Sequence, residues 1–172
     1  MTSVVILDYG SGNVRSAQRA VETTGAKVSI SADFDEALAA DALLVPGVGA
    51  FGACMSALRD VGLESVALDA VASGVPFMGI CVGMQMLFDG SEEDSDARGL
   101  GIISGEVKWI PSTVQRPQMQ WNRLDIVDPA EPILRDLGDE PYVYFVHSLH
   151  GVPDDPAVVA ATGSPTCIVF GK

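Results

Sequence analysis

The chain has 172 residues, 48 % of them apolar and 19 % charged, which suits one globular domain over 1–172 with its own hydrophobic core. Its 23 acidic and 10 basic side chains leave a formal charge of −13, so no basic stripe is available to neutralise nucleic-acid phosphates and a nucleic-acid partner is excluded. Three scattered cysteines (Cys54, Cys81, Cys167) without a CxxC pair argue against a disulfide framework or a zinc site and for a reducing, cytoplasmic setting.

The N-terminal MTSVVILDYG lacks a basic region ahead of its apolar run and does not read as a signal peptide. No apolar run reaches the length of a membrane span, so no membrane association is expected. SVVIL (3–7) is a buried-strand pattern, followed by a glycine turn and the helix pattern NVRSAQRAVETTG, closed by Gly25. KVSI (27–30), a helix around FDEALAA (34–40) and ALLV (42–45) continue the alternation. FGACMSALRDVGLESVALDAVASG predicts one or two helices, and VPFMGI (75–80) a fourth strand. Apolar strands separated by helices predict an α/β fold: a three-layer, open, mostly parallel sheet with helices on both faces.

The acidic SEEDSDARG (91–99) reads as a solvated loop. From about Gly99 the helical pattern stops, and EVKWI, NRLDIVD, YVYFVH and PTCIVF predict extra short strands, antiparallel in part, between proline- and glycine-rich turns.

In Gly79-Ile80-Cys81-Val82-Gly83 a cysteine is bracketed by glycines where a strand gives way to the helix pattern GMQMLF. A sharp strand-to-helix turn needs residues without Cβ on both sides of a strained nucleophile, as in the G-x-S-x-G elbow. Such a turn lifts the sulfur to the carboxyl edge of the sheet, where ligands of open α/β sheets bind. The following helix start favours thiolate, and the Val82 amide is placed as an oxyanion donor. A lone cysteine is also a common core residue; the two glycines tip the reading toward the nucleophile. One βα unit earlier, LLVPGVGAFG (43–52) ends a strand with a backbone able to supply a second oxyanion donor.

LDYGSGNVRS, VPGVGAFG, GICVGMQMLF, MQWN and YVYFVHS follow one another in one order. In that order, from about residue 3 to about 161, the chain resembles the glutaminase subunits of imidazole glycerol phosphate synthase, class I (triad) glutamine amidotransferases of histidine biosynthesis. The resemblance implies a flavodoxin-like amidotransferase fold and attack of Cys81 on the side-chain amide of glutamine, through a thioester that releases ammonia. By resemblance, the oxyanion is held by Val82 and the Gly47-Val48 loop, while Gln85, Glu93 and the backbone near Ser148 and Leu149 bind glutamine. Ammonia would pass to a (β/α)8-barrel synthase partner in a heterodimer, with Asn13 and Trp121 at the docking face. Taken alone, Asn13 lies in an ordinary βα turn, and Trp121 is equally a candidate core aromatic. No cofactor and no metal site are expected, since the two histidines, His147 and His150, fit no ligand spacing.

The family's base lies in a Gln-x-His-Pro-Glu stretch, and no His-Pro-Glu occurs in these 172 residues. The sequence departs from the family pattern at about residue 162, so the domain is expected to lack the family's C-terminal segment with the triad histidine and glutamate. Either His147 or His150 could stand in as base if its strand ends beside the elbow. Gln120 replaces a family glycine and Leu149 a tyrosine, which bear on docking and on the glutamine pocket. Two other readings stay open: an inactive docking subunit, and another cysteine-dependent amidotransferase of the same fold.

Overall fold

The strand Ser3–Leu7 (β1) is buried from Val4 onward, and it lies at the centre of the first sheet in the computed structural model. The structure describes residues 1–135 and 137–163 and the backbone of 166–168. Beside β1, the first half contains α1 (Val14–Glu22), β2 (Lys27–Ser31), α2 (Phe34–Leu38), β3 (Ala42–Gly47), α3 (Phe51–Asp60), α4 (Leu63–Ala72) and β4 (Phe77–Cys81). The four strands run parallel in the order β2-β1-β3-β4.

Alternation along the strands makes this sheet the middle of three layers. Val5, Leu7, Leu43 and Val45 face a core built with Phe51, Met55, Leu58 and Val66 of α3 and α4. Val4, Ile6 and Leu44 face the other way, against Val14, Ala17 and Val21 of α1. Helix starts are set locally: the Asn13 side chain accepts from the Ser16 amide at 3.2 Å and Asp33 from the Glu36 amide at 2.8 Å, each satisfying a first-turn donor. The stretch from Phe51 to Ala72 is two helices, because Gly62 between them takes a left-handed φ of +77°.

Beyond β4 comes a single helical turn, α5 (Val82–Gln85), then β5 (Phe88–Ser91), β6 (Asp94–Arg98), β7 (Ile103–Trp109), β8 (Gln118–Arg123) and β9 (Asp125–Ile126). These are followed by β10 (Tyr142–His147), β11 (Leu149–Pro153), β12 (Ala161–Gly163) and β13 (Thr166–Ile168). A second sheet has the order β11-β7-β5-β6, a ribbon joins β10 to β8, and β13-β12-β9 form a third sheet.

Two expectations need correction. The helix foreseen over GMQMLF is one turn only, because Phe88 enters a ladder with Ile103 and is fully buried, with its ring against Gly151; burial outweighs helical propensity there. The acidic 91–99 stretch is not a loop throughout: Asp94–Arg98 returns antiparallel to β5, pairing Gly90 with Arg98 and Ser91 with Asp94. The short-strand region therefore begins at Phe88 rather than near Gly99. Of PTCIVF, only the backbone of Thr166–Ile168 falls among the described residues.

Candidate active site

Cys81 ends β4 at φ +57° and ψ −119°, the one positive φ of a non-glycine residue among the described residues. Such a conformation costs about 1–3 kcal/mol and persists only where its surroundings over-determine it. Its neighbours do so. A Cβ on Gly79 would lie 2.5 Å from the Met84 backbone, and one on Gly83 would strike the Val45 carbonyl oxygen. The glycines are thus required by close packing of the turn against α5 and β3. The thiol is exposed, and α5 begins at Val82 with no side chain capping its first amides.

Across the parallel ladder, Gly47 is the register partner of Cys81. The loop that follows Gly47 is held from several sides. The Tyr9 hydroxyl donates to the Pro46 carbonyl at 2.6 Å. The Ser11 hydroxyl donates to the Val48 carbonyl at 2.9 Å and accepts from the Val48 amide at 3.4 Å. The Cys54 thiol lies 3.5 Å from both the Val48 carbonyl and the Ser11 hydroxyl. Glu93 accepts from the Phe51 amide at 2.7 Å, at the start of α3. Burial, then the neighbouring Cys54, push the Tyr9 phenol well above its ordinary range, so it stays a neutral donor.

Of the expected oxyanion residues, Gly47 is the register partner of Cys81 and Val82 follows it in the chain, while the Val48 amide is directed to Ser11. Gln85 is buried on α5, one turn beyond the cysteine. Glu93 lies beside the start of α3, and Ser148, between β10 and β11, accepts from the Ile110 amide at 2.9 Å. Asn13 caps α1. Tyr9, Ser11 and Cys54 were not foreseen; the motif YGSGN marks the turn, but nothing in it reveals that Ser11 reaches the loop after β3.

No side chain among the described residues hydrogen-bonds the Cys81 sulfur. His147 directs Nδ1 to the Leu149 carbonyl at 2.8 Å and packs on Phe145 with ring centroids 5.6 Å apart. His150, in β11, has a buried Nδ1 with no hydrogen-bond partner among the described residues. Burial, followed by His147, holds the His150 imidazole below its ordinary value, against the pull of Glu92. Among the described residues, no group of three or more potential ligands gathers for a metal, and no helix is long and apolar enough to cross a membrane.

Trp121 is 65 % exposed, so it is not the core aromatic that the sequence left possible. Its register partner is Tyr144, with ring centroids 5.4 Å apart and planes at 63°. Met119, Tyr142 and Val146 share that exposed face of the β8–β10 ribbon. Gln120 sits at alternate register, opposite Phe145, with its amide donating to Asn122 at 2.9 Å.

The family model "Glutamine amidotransferase class-I" matches residues 5–170. The chain belongs to this family. Curated relatives named imidazole glycerol phosphate synthase subunit HisH include that of Deinococcus radiodurans, 47 % identical over 160 residues, which are 92 % of this chain and 74 % of that protein. The HisH of Aquifex aeolicus is 46 % identical over 156 residues, 90 % of this chain and 75 % of that protein. Within the amidotransferase family, the chain therefore falls among the HisH subunits. Solved structures share the fold: a glutamine amidotransferase at TM-score 0.72 and 19 % identity, covering 92 % of this chain and 79 % of that one, and PurLQS from Thermotoga maritima at TM-score 0.70 and 20 % identity, covering 99 % and 77 %.

Proposed function

We propose that the chain is the glutamine-hydrolysing subunit of imidazole glycerol phosphate synthase, acting in histidine biosynthesis with Cys81 as nucleophile. The observation that carries this reading is the strained, exposed cysteine held between Gly79 and Gly83 beside the uncapped start of α5. The Cys81 thiolate attacks the amide carbon of glutamine, a C–S bond forms, and the C–N bond breaks as the leaving nitrogen takes up a proton. Backbone amides hold the oxyanion, Val82 among them. Water then hydrolyses the thioester to glutamate. Gln85, Glu93 and the backbone at Ser148 line the glutamine pocket in this reading.

The partner is a (β/α)8-barrel synthase that receives the ammonia, in a soluble cytoplasmic heterodimer whose overall reaction is a lyase step. The exposed apolar face around Trp121 supports that docking, because a contiguous apolar patch on a charged surface marks an interaction site, and Asn13 belongs to the same interface by resemblance. One edge of β4 is paired by no strand among the described residues. A groove of about 340 Å³ there is lined by Phe77, Met78, Met84, Ile102 and Ile133. The chain spans about three quarters of the length of the HisH relatives.

A second reading is a docking subunit without turnover, favoured by the exposed apolar face around Trp121, which needs no chemistry at Cys81. The deciding experiment measures glutamine hydrolysis by the chain with its nucleotide-loaded synthase partner, beside Cys81→Ala, with circular dichroism confirming both folds. Turnover above the control supports the glutaminase. A folded, partner-binding chain with no turnover leaves the docking subunit.

A further inference from the structure

Glu92 and Glu93 are neighbours in the chain, yet their carboxylates are held by different elements. β5 ends at Ser91 and β6 begins at Asp94, its register partner, so the two glutamates form the turn between them. Glu92 is tied to β7: its N–H donates to the Val107 carbonyl at 2.8 Å, and its carboxylate accepts from the Trp109 N–H at 2.9 Å. Glu93 is tied to α3, where its Oε2 accepts from the Phe51 N–H at 2.7 Å. Ser91 is buried, and its hydroxyl oxygen accepts from the Glu93 N–H at 3.2 Å.

These contacts bring Glu93 toward the nucleophile. Phe51 opens α3 just behind the loop that follows Gly47, the register partner of Cys81. β6 lies directly on that first helical turn, since a Cβ on Gly52 would strike the Asp94 carboxylate. Glu93 itself is exposed. A carboxylate has two accepting oxygens, so with Oε2 on the helix, Oε1 remains to accept from a donor in the pocket. The cation that glutamine carries is its α-ammonium, and a charge-assisted bond to it is stronger than a neutral one.

We propose that Ser91 is a positioning residue for glutamine recognition: its hydroxyl fixes the Glu93 backbone so that the carboxylate meets Phe51 with Oε2 and presents Oε1 to the α-ammonium. The proposal rests on the glutaminase reading, in which Glu93 lines the glutamine pocket, and goes beyond it by giving Ser91 a task. Without that hydroxyl the Glu93 N–H loses its acceptor. Glu92 stays anchored on β7 through its own two hydrogen bonds, while the Glu93 side chain is no longer held in one direction.

The test labels Cys81 in the full chain with two chloroketones, the adduct being located by peptide mass mapping. One is the chloroketone analogue of glutamine, in which CH2Cl replaces the amide nitrogen. The other is the same molecule with hydrogen in place of the α-amino group. In both, the thiolate forms the C–S bond and chloride leaves. In Ser91→Ala the half-saturating concentration of the amino-bearing reagent is expected to rise about fivefold, the scale of one hydrogen bond. Its rate at saturation stays unchanged, and the desamino reagent reacts as with the wild type. Ser91→Thr, which keeps the hydroxyl, is expected to retain the wild-type value. In a Glu93→Gln background Ser91→Ala is expected to add nothing, because it acts through that carboxylate. Circular dichroism confirms each fold, and Ser91→Cys, close in volume but a weak acceptor, is expected to show the same shift and replaces an alanine variant that does not fold.

Equal weakening of both chloroketones in Ser91→Ala would overturn the proposal, since the hydroxyl would then hold the turn without serving the ammonium. Unchanged binding of the amino-bearing reagent would overturn it as well, and so would an undiminished effect of Ser91→Ala in the Glu93→Gln background. Failure of the underlying glutaminase reading looks different: in the wild type, glutamine would not protect Cys81 from the amino-bearing reagent.

Discussion

Gly47 and Cys81 are register partners at the ends of two parallel strands, and a Cβ on Gly47 would come within 2.6 Å of the Gly83 nitrogen. The loop after β3 and the turn carrying the nucleophile therefore share one packed contact of backbone on backbone. Gly83→Ala drives a methyl into the Val45 carbonyl oxygen and is expected to cost about 1–3 kcal/mol, the range for overpacking. Gly90→Ala meets only the Ala97 carbonyl at 3.6 Å and is expected to change stability by less than about 0.5 kcal/mol. Urea unfolding of the two variants reads the difference.

The strain at Cys81 gives a second prediction. Cys81→Gly relieves the positive φ, offset in part by glycine's larger unfolded-state entropy, so it should be about 1 kcal/mol more stable than Cys81→Ala. Equal unfolding midpoints for these two variants would mean that the elbow stores no strain.

The Tyr9 hydroxyl donates to the buried Pro46 carbonyl, and Tyr9→Phe should destabilise by about 1–2 kcal/mol by leaving that acceptor unpaired. The phenol's raised folded-state pKa, caused first by burial, adds a pH signature. Above its ordinary value of 10.0 the unfolded chain loses the proton while the folded one keeps it. Stability is then lost as pH rises from there toward the folded value. Alkaline unfolding followed by circular dichroism should show this slope in the wild type and a shallower one in Tyr9→Phe.

His150 acts at the other end of the scale. Its folded pKa lies below the ordinary 6.5, by burial first and then by His147 and Lys108, with Glu92 opposing. The unfolded chain therefore takes up the proton first, and this contribution to stability is present above pH 6.5 and lost as pH falls below it. Urea midpoints compared between pH 7.5 and 5.5, about one unit either side of that value, should fall less in His150→Gln than in the wild type.

At the β8–β10 ribbon, Trp121 is 65 % exposed and rests edge-on against Tyr144. Trp121→Ala is expected to leave the unfolding midpoint nearly unchanged. If this face docks on the synthase barrel, the same variant weakens that complex by about 2 kcal/mol, the scale of an interface hot spot. Calorimetric titration of the barrel with each protein measures it; wild-type affinity in the variant would move the docking face elsewhere.

Some of this molecule was determined by sequence alone, because the physics involved is local. Runs such as SVVIL and ALLV predict buried parallel strands, Asn13 and Asp33 cap helices within four residues of themselves, and glycines two residues either side of Cys81 announce a strained turn. Long-range packing decided the rest. The run GMQMLF has helical spacing, yet Phe88 buries its ring against Gly151, far along the chain, and that burial converts the end of a helix into a strand. The exposure of Trp121 depends on which face of a ribbon Phe145 turns into the second core, and one register step would reverse it. Ser11 reaches Val48 only because β1 and β3 are neighbours in the sheet, and strand order is not written in either segment. The nucleophile is legible because its strain is encoded by adjacent glycines; the groups that orient its surroundings are not, because the fold alone brings them together.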